Sequence, residues 1–410
     1  MKAVIISVGD ELISGKTVDT NSAYLADQLT RCGIATIAHW TVGDCQSVIA
    51  RTIADAAAIA DIVLVSGGLG PTADDVTRQA LADAMGVGMQ VDPPSLAVIE
   101  GFFRSRGLTM APINRMQAMV PVGAQVLPNS AGTAPGIAAA LGEAMVYVTP
   151  GVPHEMKRMF EQQIAPRLPR GRGAIVQKVL HTFGMGESTV GEMLGELMTR
   201  DGPVLVGTTV AAGLVSVRIT ASAPDADRGR TCVDGLCRQI RQRLGDIVFG
   251  EDEDSMAGIV GHLLNKAGKT LATAESCTGG MIGQMITAVP GSSSYYLGGM
   301  ITYSNALKMS LLGVSEELLK AHGAVSEPVA RAMAQGCRAH TGADYAISVT
   351  GVAGPAGGTA DKPVGLVHIA MAHAGGTEHA RSSFPSTREI VRLRAALSAM
   401  NMLRLHLQKN

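Results

Sequence analysis

TLATAESCTGGMIGQMITAV, Thr270 to Val289, decides the fold of the region around it. A short apolar run breaks at Glu275-Ser276-Cys277-Thr278, passes through Gly279-Gly280 and resumes with helical spacing. A strand that turns through glycines into a helix holds a small side chain at the turn. The first helical N–H groups face the same spot and favour negative charge there. The unit so described is α/β. No Asp, Glu, Lys or Arg follows from Cys277 to Leu307, and the next charge is Lys308.

Ser276 and Lys308 form the candidate catalytic pair. A serine needs a base to act as nucleophile, and a lysine serves when burial lowers its pKa toward roughly 7–8. The alternative is plainer: Ser276 caps the following helix and Lys308 sits on the surface of a helix over 305–312. Around them, Ser293 lies in a serine turn after Pro290-Gly291, Tyr303 follows a strand, and Thr350 ends another. Arg388 stands at a helix start and is able to grip a phosphate. Cys277 is a rival nucleophile with no histidine beside it in sequence.

Outward from this stretch, strands are expected at 270–274, 300–302, 345–350 and 364–370, and helices at 278–289, 305–312, 327–341 and from Arg388 onward. The acidic run EDED at 251–254 marks a domain boundary before a new helix at Met256. Between about Gly173 and that run, alternating stretches at 176–183 and 214–220 and helical ones at 186–198 and 231–244 describe a small α+β module. At the N-terminal end, Lys2–Val8, Thr36–Val42 and the wholly apolar Ile62–Val65 read as strands separated by helices. That order implies a parallel sheet with helices on both faces, whose ligands sit beyond the carboxyl ends of the strands. Gly67, Gly68 and Gly70 fall there, before a helix, as a phosphate cradle in kind. Asp10, Glu11, Asp44, Asp74 and Asp75 share that edge as an oxygen-rich set suited to a hard divalent cation, although Asp74 and Asp75 equally suit a helix start. Gly9 to Thr17 is not a P-loop, because five residues rather than four separate Gly9 from Gly15.

Composition narrows the class. A chain of 410 residues spans two or three domains, and a net charge of −1 argues against a sequence-independent nucleic-acid binder. Six scattered cysteines without a C-x-x-C read as reduced thiols. No signal peptide or membrane span is legible, so a cytoplasmic protein is expected.

Assembled, these motifs resemble the CinA family (competence/damage-inducible protein A). GDELISGKTVDTNSAYLADQL, SGGLGPTADDVTRQALA, TPGVPHEM and TFGMGES carry the likeness in the N-terminal part. TAESCTGGMIG, PGSSSYY, ITYSNALK, VTGVAGPAGGT and KPVG carry it in the C-terminal part. The resemblance implies a molybdopterin-binding-like domain over 1–172, a KH-like module over 173–252 and an amidase domain over 253–410. It implies deamidation of nicotinamide mononucleotide to nicotinate mononucleotide and ammonia, with Ser276 as nucleophile and Lys308 as base and no cofactor. Ser293, Tyr303, Thr350 and Arg388 match positions tied to catalysis or substrate binding. Gly279 and Gly280 would supply amides to the oxyanion or to the 5′-phosphate; the residues leave that choice open. For the first domain it implies a metal-dependent ADP-ribose pyrophosphatase giving AMP and ribose 5-phosphate. A homodimer is expected, with nucleotides as partners and no membrane or direct nucleic-acid binding, since the module lacks a basic G-x-x-G loop. GTTVAAGLVSV at 207–217 is short against the family pattern. The competing class is a nucleotide- or pterin-binding regulatory protein linked to competence or DNA damage.

Overall fold

The computed structural model describes residues 1–169, 174–199, 201–211 and 213–409. The chain groups into two compact units, residues 1–176 with 221–231 and residues 177–220 with 232–410. The expected boundary at 172/173 lies outside the described residues, as does position 212 in the segment that is short against the family pattern. No helix among the described residues is long and apolar enough to cross a membrane.

The N-terminal unit carries strands β1 (Lys2–Val8), β2 (Ala35–Val42) and β3 (Ile62–Ser66), a small antiparallel ribbon of β4 (Met89–Val91) and β5 (Met119–Pro121), then β6 (Gln125–Leu127), β7 (Gly136–Leu141) and β8 (Ala144–Thr149). The main sheet runs β2-β1-β3-β8-β7-β6. Its first four strands are parallel, as the βα alternation predicts, but β7 pairs antiparallel with both β8 and β6. A return through the short turn at Gly142 needs no crossover helix, and so adds antiparallel strands at that edge. The helices are α1 (Asp10–Ile13), α2 (Thr20–Arg31), α3 (Gln46–Ile59), α4 (Thr77–Met85), α5 (Pro93–Arg104) and α6 (Pro153–Met159). Alternate residues of β1 explain its unbroken apolar sequence. Ala3 and Ile5 pack with Leu25, Leu29 and Met156, while Val4 and Ile6 pack with Ile49, Ile53 and Leu81.

The middle module has strands β9 (Ala174–Thr182), β10 (Val204–Ala211), β11 (Leu214–Ala223) and β12 (Val248–Glu251) in the order β10-β11-β9-β12, with helices α7 (Glu187–Leu194) and α8 (Ala226–Leu244). The C-terminal sheet holds β13 (Leu271–Glu275), β14 (Tyr296–Ile301), β15 (Tyr345–Gly351), β16 (Leu366–His373) and β17 (Gly376–Ser383) in the order β14-β13-β15-β16-β17. Three of these strands are parallel, and β16 and β17 form an antiparallel extension. Helices α9 (Met256–Ala267), α10 (Met281–Thr287) and α14 (Arg388–Lys409) supply one face. The other is covered by α11 (Asn305–Leu312), α12 (Glu316–His322) and α13 (Glu327–Thr341).

This second face explains the many small residues. Ala272, Ala274, Ala346, Ala370 and Ala372 meet α13 through Ala330, Ala334 and their neighbours. α13 also touches α11 at Gly336, where a Cβ would fall inside contact distance of the Leu312 carbonyl oxygen. Gly336→Ala is therefore expected to push α11 off α13. Overpacking of this kind costs about 2 kcal/mol, read as a fall in Tm of roughly 4–8 °C. An unchanged or higher Tm would show that the helix contact yields freely.

Candidate functional site

Strand alternation sorts the opening motif. Leu271 packs under α9 and α14, whereas Ala272 and Ala274 pack under α11 and α13. Glu275 therefore turns toward α10 and Ser276 toward α11. On α11, whose start is capped by Ser304 accepting from the Leu307 amide at 3.2 Å, Lys308 points back at the strand ends. Its Nζ lies 3.1 Å from Ser276 Oγ, 2.7 Å from the Thr302 carbonyl and 3.3 Å from the Tyr303 carbonyl. Lys308 is 1% exposed and Ser276 8%. Burial pulls the Lys308 amine below its ordinary value, with the neighbouring Cys277 acting weakly the other way. A neutral amine there has two N–H groups for the two carbonyls and a lone pair left to accept from the Ser276 hydroxyl. That geometry sets a buried amine within hydrogen-bond reach of a serine hydroxyl.

A cleft of about 200 Å³ opens over the pair, lined by Cys277, Tyr303, Ala324, Val325, Thr350 and Arg388 among others. Five of the anticipated residues thus meet: Ser276, Lys308, Tyr303, Thr350 and Arg388. The Arg388 guanidinium donates to the Gly354 carbonyl at 2.6 Å and to the Tyr303 hydroxyl at 3.1 Å, which fixes it at the mouth. Thr350 Oγ1 donates to the Ala324 carbonyl at 2.8 Å, tying β15 to the loop before α13. Burial pushes the Cys277 thiol up to about 11, so it stays protonated and a poor nucleophile.

Two expectations fail here. Ser293 is exposed in the short turn Ser292–Ser294, which precedes β14. Because β14 runs parallel to β13, that turn sits at the amino edge of the sheet, while Ser276 is at the carboxyl edge. Six residues of strand, roughly 20 Å at about 3.3 Å per residue, separate the two within one chain. Gly279 and Gly280 do not offer free amides. Gly279 N–H donates to the Ser276 carbonyl at 3.1 Å, and Gly280 N–H donates to Glu275 Oε2 at 3.0 Å. The Ile282 and Gly283 amides also go to the Glu275 carboxylate, at 3.1 and 2.9 Å. The start of α10 is filled by the protein's own anion. Among the described residues the Cys277 and Thr278 amides donate to no other residue.

The residues that sequence reasoning missed are Glu275 and Arg392, whose Nη2 donates to the Thr278 carbonyl at 2.7 Å. The signal for Glu275 was present: a carboxylate closing an otherwise apolar strand needs buried donors.

In the N-terminal unit a cleft of about 540 Å³ lies beyond the carboxyl ends of β1, β3 and β8. Gly67, Gly68, Gly70, Glu11, Asp44, Asp74 and Asp75 line it together with Gln117, Thr133 and Glu155. Gly67 has φ 115°, and a Cβ there would meet the Val8 carbonyl oxygen, so only glycine carries the loop past β1. Buried Arg78, also unforeseen, holds the loop from behind through the Leu69 and Gly70 carbonyls. Gly68 and Leu69 keep amides without partners among the described residues.

The five carboxylates are not one ligand set. Asp10 does not line the cleft; its carboxylate accepts the Asp44 amide at 3.1 Å while Asp44 accepts the Asp10 amide at 2.9 Å. Asp75 spends its oxygens on the amides of Gly70 and Thr72, at 2.7 and 2.9 Å. Glu11, Asp44 and Asp74 remain. Burial raises the Asp44 pKa, and the charges of Asp10, Glu11 and Asp74 add to it. Such crowding suits a divalent cation held by one or two carboxylates and completed by phosphate oxygens. Among the described residues one trio, His373, Glu378 and His406, brings ligand atoms within 4.8 Å of one another. There the Gly375 amide donates to His373 Nδ1 at 3.1 Å, leaving the ring proton on Nε2, which faces Glu378 at 3.5 Å. His406 Nδ1 lies 2.7 Å from the same Glu378 oxygen, so this is a hydrogen-bonded network.

Comparison with known proteins places these sites in a wider set. Residues 4–170 match a family model described as a probable molybdopterin binding domain, 177–250 one described as the damage-inducible protein CinA KH domain, and 253–407 one described as the CinA C-terminal domain. A CinA-like protein of Synechococcus sp. is 42% identical across 99% of this chain and 97% of its own length. A CinA-like protein of Citrifermentans bemidjiense is 41% identical across 99% of this chain and 98% of its own. The crystal structure of the competence/damage inducible protein CihA from Agrobacterium tumefaciens is 39% identical, covering 37% of this chain and 93% of that one, with a TM-score of 0.36.

Proposed function

This chain belongs to the CinA family, and on that premise we propose that its C-terminal domain is an amidohydrolase that converts nicotinamide mononucleotide to nicotinate mononucleotide and ammonia. The observation that carries the reading is the buried Lys308 amine 3.1 Å from Ser276 Oγ at the floor of a cleft. Neutral Lys308 takes the hydroxyl proton as Ser276 attacks the carboxamide carbon. The oxyanion is met by the unpartnered Cys277 and Thr278 amides. Lys308 then returns the proton to the departing nitrogen, ammonia leaves, and an acyl-serine ester remains. Water, activated by the same amine, cleaves the ester and releases the carboxylate. Arg388, held at the mouth by Gly354 and Tyr303, is positioned to pair with the substrate phosphate.

The N-terminal cleft supports a second activity, hydrolysis of ADP-ribose to AMP and ribose 5-phosphate. Its support is the pairing of unbonded Gly68 and Leu69 amides with the crowded carboxylates Glu11, Asp44 and Asp74. A divalent cation bound there would neutralise the diphosphate and polarise its phosphorus. Glu11, Asp44 and Asp74 are the side chains to hold it, and the two amides would orient the phosphate oxygens.

A product assay of the purified protein tests both. Nicotinamide mononucleotide should give ammonia with chelator present. ADP-ribose should give AMP only with added metal, and Asp44→Asn should lower that rate by about 100-fold while leaving ammonia release intact. AMP formation at full rate in chelator would remove the cation from the N-terminal reading. Absence of both products would favour a binding or regulatory role.

A further inference from the structure

We propose that Glu275 is a positioning residue for acylation of Ser276: by filling the start of α10 it fixes the nucleophile turn and leaves the Cys277 amide as oxyanion donor. The inference rests on the Ser276–Lys308 reading above.

Glu275 is 2% exposed, and its three hydrogen-bond partners are all amides of the α10 start, Gly280, Ile282 and Gly283. A buried carboxylate without a cation is costly unless donors surround it, and the helix start supplies them together with a favourable dipole. Glu275 and Ser276 are consecutive at the strand end and point to opposite faces. Any slack in the first is therefore passed to the second. Three further bonds complete the clamp. Ser276 N–H donates to the Val349 carbonyl at 3.0 Å, Gly279 N–H to the Ser276 carbonyl at 3.1 Å, and Arg392 to the Thr278 carbonyl at 2.7 Å. In a trans peptide the N–H points opposite to the C=O. With the Ser276 carbonyl turned to Gly279, the Cys277 N–H is turned away from the helix. Losing the Glu275 carboxylate frees three amides to draw the turn inward and take that donor out of place.

The same bonds shape specificity. An external anion finds no free amide at α10, so the substrate phosphate is left to Arg388 and Tyr303 at the cleft mouth. Glu275 lies on the face opposite Lys308, so its role is geometric and separate from the base.

The test follows Ser276 itself, in full-length protein, by mass spectrometry of its phosphonylation by a fluorophosphonate. In that reaction Oγ bonds to phosphorus, fluoride leaves and the hydroxyl proton passes to the base. Glu275→Gln keeps the size but sets an NH₂ against amide donors. It should lower both the labelling rate and kcat for deamidation by about 100-fold, with KM within about threefold and the pH midpoint of labelling unmoved. Glu275→Ala should regain about tenfold of its labelling rate in formate, which refills the carboxylate position. Wild-type protein that is never labelled overturns the dyad and this proposal together. Wild type labelled, with Glu275→Gln labelled equally fast, overturns this proposal alone. A shifted pH midpoint, or no gain from formate in a folded Glu275→Ala, also overturns it.

Discussion

Replacing Ser276 by alanine is expected to abolish ammonia release from nicotinamide mononucleotide, lowering kcat by about 10⁴-fold or more, because the hydroxyl within 3.1 Å of the Lys308 amine is then gone. Cys277, the adjacent candidate, is held as a thiol by burial and turns into the core that contains Ile282 and Val349. The substrate contacts assigned to Arg388, Tyr303 and Thr350 are untouched, so binding of the nucleotide should survive. Calorimetry should give a Kd within about threefold of wild type, since uniform binding and transition-state stabilisation are separable. A Ser276→Ala protein that still turns over at a tenth of the wild-type rate would remove the nucleophile from this position.

Lys308→Met should lower kcat/KM by about 10²–10⁴-fold, the usual range for losing a general base, and should do so without loss of stability. The sign follows from burial. The folded-state pKa of Lys308 lies below its ordinary 10.5. Folding therefore expels a proton between the lowered value and 10.5, and the lysine contribution to stability falls as pH drops through that window. At neutral pH the methionine variant, which carries no charge to bury, should melt at the same temperature as wild type or higher. The wild-type activity profile should rise with pH through the lowered Lys308 pKa and then level, as the amine becomes the base. The methionine variant should lack that limb. A variant that melts well below wild type at neutral pH, or keeps the limb, would make Lys308 a structural lysine instead.

The two changes read different links of one chain. Ser276 is placed by a strand end and Lys308 by a helix, and they meet because Ala274 and Leu312 belong to one packed face. That face closes tightly at Gly336, so a substitution there should reach activity through α11 as well as stability.

Much of this was legible in the residues. The apolar runs at Lys2–Val8 and Ile62–Val65 are buried on both faces, and their composition states as much. The thirty-one uncharged positions from Cys277 to Leu307 singled out Lys308 as the next charge but left open whether it is buried or on a helix surface. Antiparallel strands at the ends of both sheets were not foretold, because β6, β7 and β17 are short or polar and pair only through their neighbours.

The sequence by itself determined the order of strands and turns. Side-chain alternation then determines that Glu275 and Ser276 face opposite ways. Only the tertiary structure decided which groups meet which. It spent the Gly279 and Gly280 amides within the turn, sent Ser293 to the far edge, and divided five carboxylates between loop bonds and an open cleft. Buried polar groups are satisfied by whatever packing brings within about 3 Å, whether Glu275 beside Gly280 in the same turn or Asp44 beside Asp10 from another loop.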